Sequence, residues 1–333
     1  MRKITYLKAI NEALEEAMAK NPKVFLLGED IGVYGGGFGA TAGLLEKYGE
    51  KRVRETPISE SAIAGVSVGA AMTGLRPVME FQFSDFVTVA MDQIVNQAAK
   101  IHYMYSGKAS VPLVMRTAAG SGTGAGAQHS QSLENWMAHI PGLKVIQPSN
   151  AYDAKGLLHA AIEDENPVMF YEHKLLYKTE MFVPETSYSL PIGVADIKRT
   201  GEDVTIIATG IMVSKALKAA EALAEEGISV EVVDPRTLVP LDVKTLLSSV
   251  DKTKRVVVVT ESVKNSGFGA EITAVIAEDP ISLQLKTPIV RLGGAFVPMP
   301  AQKLLESLAI PQVETIVQSV KKMMLNDLAS NSL

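Results

Sequence analysis

The stretch ETPISESAIAGVSVGAAMTGLRP places one carboxylate, Glu60, ahead of a run from Ser61 to Leu75 that carries no charge. Ser59 reads as a helix N-cap and Glu60 as a first-turn acid, where unpaired N–H groups and the helix dipole favour an anion. An isolated Glu need do no more there than complete the helix start. The residues after it change the expectation. Ala62, Gly65, Gly69, Ala70 and Ala71 give the helix a narrow surface suited to close packing in a core or an interface, so its first turn is expected to be buried. The dipole contributes about 0.3–1 kcal/mol, whereas burial can raise a carboxyl pKa by roughly 3–5 units at about 1.4 kcal/mol each. Burial wins, and a Glu so placed is a candidate for acid–base chemistry near neutral pH.

Other side chains join it. In VMEFQF a period of two puts Glu80 and Gln82 on one face of a strand that otherwise reads as apolar. Phe86 follows at the strand-to-helix turn, where α/β sheets bind ligands, and serves either as core or as a ligand platform. His129 ends the Gly-rich stretch GSGTGAGAQHSQS among polar neighbours, which suits a proton donor to a substrate. His102, His139, His159 and His173 read as structural or surface residues, and no histidine has zinc-ligand spacing. A second Gly-rich stretch, GVYGGGFGATAG, matches a dinucleotide fingerprint only if Gly35, Gly37 and Ala40 are forced onto it, and no Walker-type motif occurs. Both stretches read as mobile loops able to close over a site.

The elements that must position these groups alternate. Val24 to Leu27, Val78 to Phe83, Val111 to Thr117, Leu143 to Gln147 and Pro167 to Tyr171 read as strands, with helices over Ser59 to Gly74, Asp85 to Lys100 and Ala151 to Glu163. The pattern restarts after Gly193 with DVTIIAT, a helix from Val213 to Glu226, ISVEVVD, RVVVVTE, a helix near Ala270 and PIVRLG. Such alternation predicts an α/β protein of two three-layer domains with mainly parallel sheets, residues 1–185 and 186–333.

Composition bounds the rest. The 333 residues exceed the size at which one core usually keeps growing. Hydrophobic residues at 47% and charged residues at 21% describe a soluble globular chain. A net charge of −5 argues against nucleic acid as a partner. The absence of cysteine excludes disulfides and thiolate chemistry. Leu7, Ile10, Leu14 and Met18 at helical spacing make the N-terminus an amphipathic helix, not a signal peptide, and the uncharged run from Ser61 is too short and too polar for a membrane span. The expected location is the cytoplasm, or a matrix reached with a presequence.

GED, ETPISE, GAAMTGLRPVMEFQFSDF, DQIVNQAAK, AQHSQS, HIPGLKVIQPSNAYDAKGLL, AIEDENPV and DPRTLVPLD, in that order from about Tyr6 to Val320, resemble β subunits of the thiamine-diphosphate-dependent E1 component of 2-oxo acid dehydrogenase complexes. AQHSQSLENW and PSNAYDAKGLL are most similar to the acetoin dehydrogenase branch, with the pyruvate and branched-chain enzymes as alternatives. The resemblance implies a pyrimidine-binding domain followed by a transketolase C-terminal-like domain. It implies that Glu60 meets N1′ of the cofactor's aminopyrimidine, that Phe86 stacks on that ring, that Gln82 and Glu29 lie beside it, and that His129 handles substrate protons. Leu113, Ala161, Asp164 and Asn166 resemble a potassium site. From the sequence alone, AIEDENP serves equally as a helix end closed by Asn-Pro.

Thiamine diphosphate enzymes hold Mg²⁺ and the diphosphate with Gly-Asp-Gly followed by Asn, and this chain contains no Gly-Asp-Gly. The resemblance therefore implies an α₂β₂ heterotetramer in which an α subunit holds Mg²⁺, a second β subunit packs alongside, and an E2 acyltransferase accepts the product on its lipoyl arm. Two other readings compete: a non-catalytic assembly subunit in which Glu60 is only a buried cap, and a self-contained nicotinamide dehydrogenase using one Gly-rich loop.

Overall fold

A computed structural model describes residues 1–330 and forms two compact units. The first comprises residues 1–120 and 129–192, the second 121–128 and 193–330. The division falls at Ile192, before the second α/β pattern restarts. The Gly-rich segment 121–128 belongs to the second unit although its flanks belong to the first, an interleaving that no local sequence pattern announces.

The first unit begins with β1 (Arg2–Thr5), which pairs antiparallel with β8 (Glu180–Val183). Its main strands are β2 (Val24–Gly28), β3 (Val53–Glu55), β4 (Arg76–Phe81), β5 (Val114–Ala119), β6 (Lys144–Ile146) and β7 (Val168–His173), all parallel, in the order β6-β7-β5-β4-β2-β3. Strands β2, β5 and β7 are buried at every residue, as expected of a parallel sheet covered on both faces. Among the helices, α1 (Tyr6–Lys20) packs on α6 (Ala151–Glu163), where Lys155 donates to Glu12 and Glu16. Between them in the chain lie α2 (Leu44–Tyr48), α3 (Glu60–Met72), α4 (Ile101–Met104) and α5 (Glu134–Ala138). The helix expected over Asp85 to Lys100 is instead a 3₁₀ turn (Ser84–Thr88) followed by a π-helical segment (Gln93–Ala98). Such departures from regular helix frequently mark functional sites.

The second unit has a five-stranded sheet in which β9 (Asp196–Arg199) is antiparallel and β10 (Val204–Ala208), β11 (Val230–Asp234), β13 (Val256–Val263) and β14 (Val290–Gly294) are parallel. The order is β14-β13-β10-β11-β9, and β12 (Thr237–Val239) precedes β13 in the chain. Helices α7 (Ile211–Glu225), α8 (Val243–Thr253), α9 (Phe268–Glu278), α10 (Lys303–Leu308) and α11 (Val313–Ser330) complete it. The two three-layer α/β architectures predicted from sequence are present. Among the described residues, no helix is long and apolar enough to cross a membrane.

Candidate active site

The carboxyl ends of the parallel strands in the first unit collect the groups singled out from sequence. Glu29 leaves the end of β2 and is 6% exposed, with its Oε1 buried and without a hydrogen-bond partner. Glu60 opens α3 and is 8% exposed. Ser59 stands at the N-cap but its side chain makes no capping bond; the helix starts with Ile63 N–H donating to the Ser59 carbonyl at 2.9 Å. Burial raises the Glu29 carboxyl pKa and the nearby Glu60 charge raises it further, against a backbone hydrogen bond at Ser59. Glu29, whose proton affinity the sequence did not single out, thus holds its proton more tightly than an exposed carboxyl.

A carboxyl whose pKa is higher folded than unfolded favours the native state while protonated. That stability is lost as pH rises from the ordinary value of 4.5 through the raised one. Glu29→Gln removes the loss, so it should raise Tm more at about pH 8 than at about pH 4.5. Thermal melts at both pH values check this; a lowered Tm at the higher pH would contradict it.

Only one side of α3 is buried, through Glu60, Ile63, Ala64, Ser67, Val68 and Ala71. On the other, Val66 is 58% and Met72 40% exposed, beside Ile58 at 81%. The uncharged run is a helix with one core face and one bare apolar face, which a sequence without charges cannot distinguish from a helix enclosed on all sides.

Gln82 lies past the end of β4, not within it, and donates from Nε2 to Asp30 Oδ2 at 2.9 Å. Phe86 sits in the 3₁₀ turn after it. The Phe83 ring is the hub of the site: edge-on to Phe86 at 5.9 Å, to His129 at 4.8 Å and to Phe38 at 5.8 Å, while Phe86 and His129 meet at 5.3 Å. Lys174, at the end of β7, places its ammonium 5.3 Å over the Phe83 ring and donates to the His129 carbonyl. Asp85 accepts from Gln131 N and Nε2 at 3.3 and 2.7 Å, and Ser84 Oγ donates to the Gln131 carbonyl at 2.7 Å. Phe83, Asp85 and Lys174 were not picked out from sequence. The available signal was an ionisable residue at the carboxyl end of a buried strand, in VMFYEHK and again in FQFSD.

Beneath this edge, the polar Glu80 has its explanation in a buried triad. Arg116 donates to Glu80 at 2.6 Å and, in fork geometry, to both oxygens of Glu172 at 2.7 and 2.9 Å, where Tyr177 also donates. Burial pushes the Glu172 carboxyl up, opposed by Arg116. The two carboxylates in turn hold Arg116 firmly protonated despite burial.

Several amides of both Gly-rich loops are already bonded within the protein. In the first, Gly36 N donates to Asp30 O at 2.8 Å, Thr41 N to Gly35 O at 2.8 Å and Gly32 N to Glu55 Oε2 at 3.0 Å. In the second, Ser121, Gly122 and Gly124 donate to Glu261 and Glu306. Among the described residues, no group of three or more His, Asp or Glu side chains is placed to hold a metal ion.

The residues matched to a potassium site gather at the opposite, amino-terminal edge of the sheet. The Leu113 carbonyl accepts from Val168 N at 2.9 Å and the Ala161 carbonyl from Asp164 N at 3.4 Å. The Asp164 carboxylate accepts from Lys144 and from Asn166 N and Nδ2, which hold its pKa low against burial. Arg76 donates to the Ile162 and Asp164 carbonyls at 2.9 and 3.0 Å. The anionic ligand is thus already paired with a protein cation, and a metal ion there would rely on carbonyl oxygens.

Residues 2–180 match the transketolase pyrimidine binding domain and residues 193–316 the transketolase C-terminal domain. Over 96% of this chain and 89% of the relative, the sequence is 49% identical to the mitochondrial pyruvate dehydrogenase E1 component subunit beta-1 of Arabidopsis thaliana. It is 48% identical to the 2-oxoisovalerate dehydrogenase subunit beta of Bacillus subtilis over 90% of this chain and 91% of that one. The chain belongs to this family of E1 β subunits. A third E1 β relative, the acetoin:2,6-dichlorophenolindophenol oxidoreductase subunit beta of Bacillus subtilis, is 45% identical over 95% of this chain and 96% of its own. A solved split-gene transketolase, described as an inactive β4 tetramer, superposes with a TM-score of 0.79 at 27% identity, covering 97% of this chain and 98% of that one. As an E1 β subunit the protein is an oxidoreductase component of a thiamine-diphosphate-dependent family. Its first domain carries the carboxylates and the aromatic cluster described above.

Proposed function

We propose that the chain forms, with an α subunit, the active site of an E1 dehydrogenase that cleaves a C–C bond beside a carbonyl and passes the acyl group to the lipoyl arm of an E2 acyltransferase in the cytoplasm, with acetoin as its substrate. The observation that carries this is the pair of buried carboxylates, Glu29 and Glu60, the former with an unpartnered oxygen. A buried acceptor without a partner fits a ring that brings its own N–H groups. Thiamine diphosphate, when bound, supplies a nucleophilic thiazolium carbon. Glu60 would hold the proton at N1′ of the aminopyrimidine, Phe86 would offer a ring face, and Gln82 and Glu29 would lie at the ring edge. His129, steadied by Phe83 and Lys174, would move protons at the substrate oxygen.

The diphosphate and Mg²⁺ fall to the α subunit in this reading. Tethered glycine loops and the absence of Gly-Asp-Gly support that division. The bare apolar face around Ile58, Val66 and Met72 supports a chain that works in an α₂β₂ assembly with a second β subunit. Potassium at the Leu113, Ala161, Asp164 and Asn166 corner would be structural.

Acetoin rests on the AQHSQSLENW and PSNAYDAKGLL motifs. The pyruvate and branched-chain relatives are as similar as the acetoin one, so substrate is decided by assay. The chain co-purified with its α partner should reduce a dye with acetoin at a higher kcat/KM than with pyruvate or 2-oxoisovalerate, and the isolated chain should be inactive. A preference for either 2-oxo acid would move the protein to that branch. Activity of the chain alone would overturn the divided site.

A further inference from the structure

The turn that carries Phe86 and the segment that carries His129 interlock within the first unit. Phe86 N donates to the Phe83 carbonyl at 3.0 Å, and the turn so closed sets both rings edge-on to the His129 imidazole, at 4.8 Å for Phe83 and 5.3 Å for Phe86. The two residues between those rings are polar and buried, Ser84 at 0% and Asp85 at 5% exposed, and both grip Gln131, two residues past His129. Ser84 Oγ donates to the Gln131 carbonyl at 2.7 Å, and Asp85 Oδ1 accepts from Gln131 N at 3.3 Å and from Gln131 Nε2 at 2.7 Å. Gln131 thus commits its backbone donor, its backbone acceptor and its side-chain amide to one turn. At the other end of the segment, the buried Lys174 ammonium donates to the His129 carbonyl. The run from 129 to 131 is held with a carbonyl on a cation and an amide on a carboxylate, charge-assisted bonds at both ends. A buried aspartate needs hydrogen-bond partners wherever it lies. This one takes them from the histidine's own segment.

We propose that Asp85 is a positioning residue: through Gln131 it locks the His129 segment to the Phe86 turn, so that the imidazole and the Phe86 ring keep one fixed relation. The catalytic consequence rests on the E1 reading above; the positioning does not. Both Gln131 bonds end on the same oxygen of Asp85, so Asp85→Asn can keep them and Asp85→Ala cannot.

Two readouts separate these statements. The His129 ring lies edge-on to two phenylalanine rings, so the NMR shift of its Cε1–H in the full-length chain reports its place without any turnover. Asp85→Ala should move that resonance toward the position of an exposed histidine. It should also speed exchange of the Gln131 amide by roughly tenfold or more, as loss of a charge-assisted hydrogen bond does. Asp85→Asn should leave both close to the parent. Gln131→Ala should shift the resonance the same way, though less far, and it carries the test if Asp85→Ala folds poorly. In the α-reconstituted enzyme Asp85→Ala should lower kcat by about tenfold or more, with KM within a few fold, as loss of alignment does. Combining it with Gln131→Ala should cost much less than the product of the two single losses, since both act through one contact. An unmoved His129 resonance in folded Asp85→Ala or Gln131→Ala, an asparagine variant that behaves like the alanine one, or fully multiplicative losses would overturn the proposal. A displaced imidazole with unchanged kcat would support the positioning and count instead against the proton-handling role of His129.

Discussion

Glu60→Gln in the reconstituted tetramer should lower kcat by roughly 10²–10⁴-fold, the range for loss of a positioned proton-transfer group, while the protein stays folded and its E1 α partner still binds. Gln keeps the size and one acceptor of Glu but cannot exchange a proton. Its site tolerates the change, because the helix start does not depend on that side chain: Ile63 N closes the first turn on the Ser59 carbonyl. The fall should come from chemistry and not from binding, so KM for substrate should change little while kcat drops. Steady-state dye reduction with matched melting curves checks this. Turnover within a few fold of the parent would leave Glu60 as a buried cap and favour the non-catalytic assembly subunit.

The second large effect is on stability. Arg116→Met removes the only cation within the triad and leaves Glu80 and Glu172 facing each other, with side chains 11% and 1% exposed. Breaking a buried ion pair by deleting one partner typically costs about 3–5 kcal/mol, because an uncompensated charge stays behind. Urea unfolding at neutral pH should therefore show a large drop in midpoint. The sign of its pH dependence follows from the charges. Without Arg116 the buried Glu172 carboxyl, already pushed up by burial, loses the cation that opposes that rise, so the native state binds its proton more tightly than the unfolded one, and stability should recover as pH falls toward the ordinary carboxyl range. Adding Glu172→Gln should restore part of the loss at neutral pH. A single variant as stable as the parent, or one that weakens further on mild acidification, would show that the triad does not hold the sheet edge.

How far the site could be read in advance depends on the range of the forces involved. Glu60 was legible because helix capping and an uncharged run are local properties, spelled out within a few residues. Phe86 was legible as an aromatic at a strand-to-helix turn, where parallel sheets bind ligands, and His129 as a histidine closing a Gly-rich stretch among polar residues. Lys174 and Asp85 were not, since each acts on a partner more than forty residues away along the chain. The raised proton affinity of Glu29 was out of reach for the same reason: it comes from burial and from the charge of Glu60 on a different element. The polar pair in VMEFQF signalled that something met that strand, but its partners, Arg116 and Glu172, stand on two neighbouring strands whose order no periodicity gives. The partners of the 121–124 amides were equally out of reach, because Glu261 and Glu306 lie about 140 and 180 residues further along the chain.

By itself the sequence determined the alternation of strands and helices, the two α/β units, the acid at the mouth of α3, and the absence of a Gly-Asp-Gly motif, because each is written in neighbouring residues. Only the tertiary structure decided which charges neutralise one another, that burial raises the proton affinity of Glu29, and which acceptors the loop amides meet. Those depend on distances between residues remote in the chain and on how much water their contacts exclude.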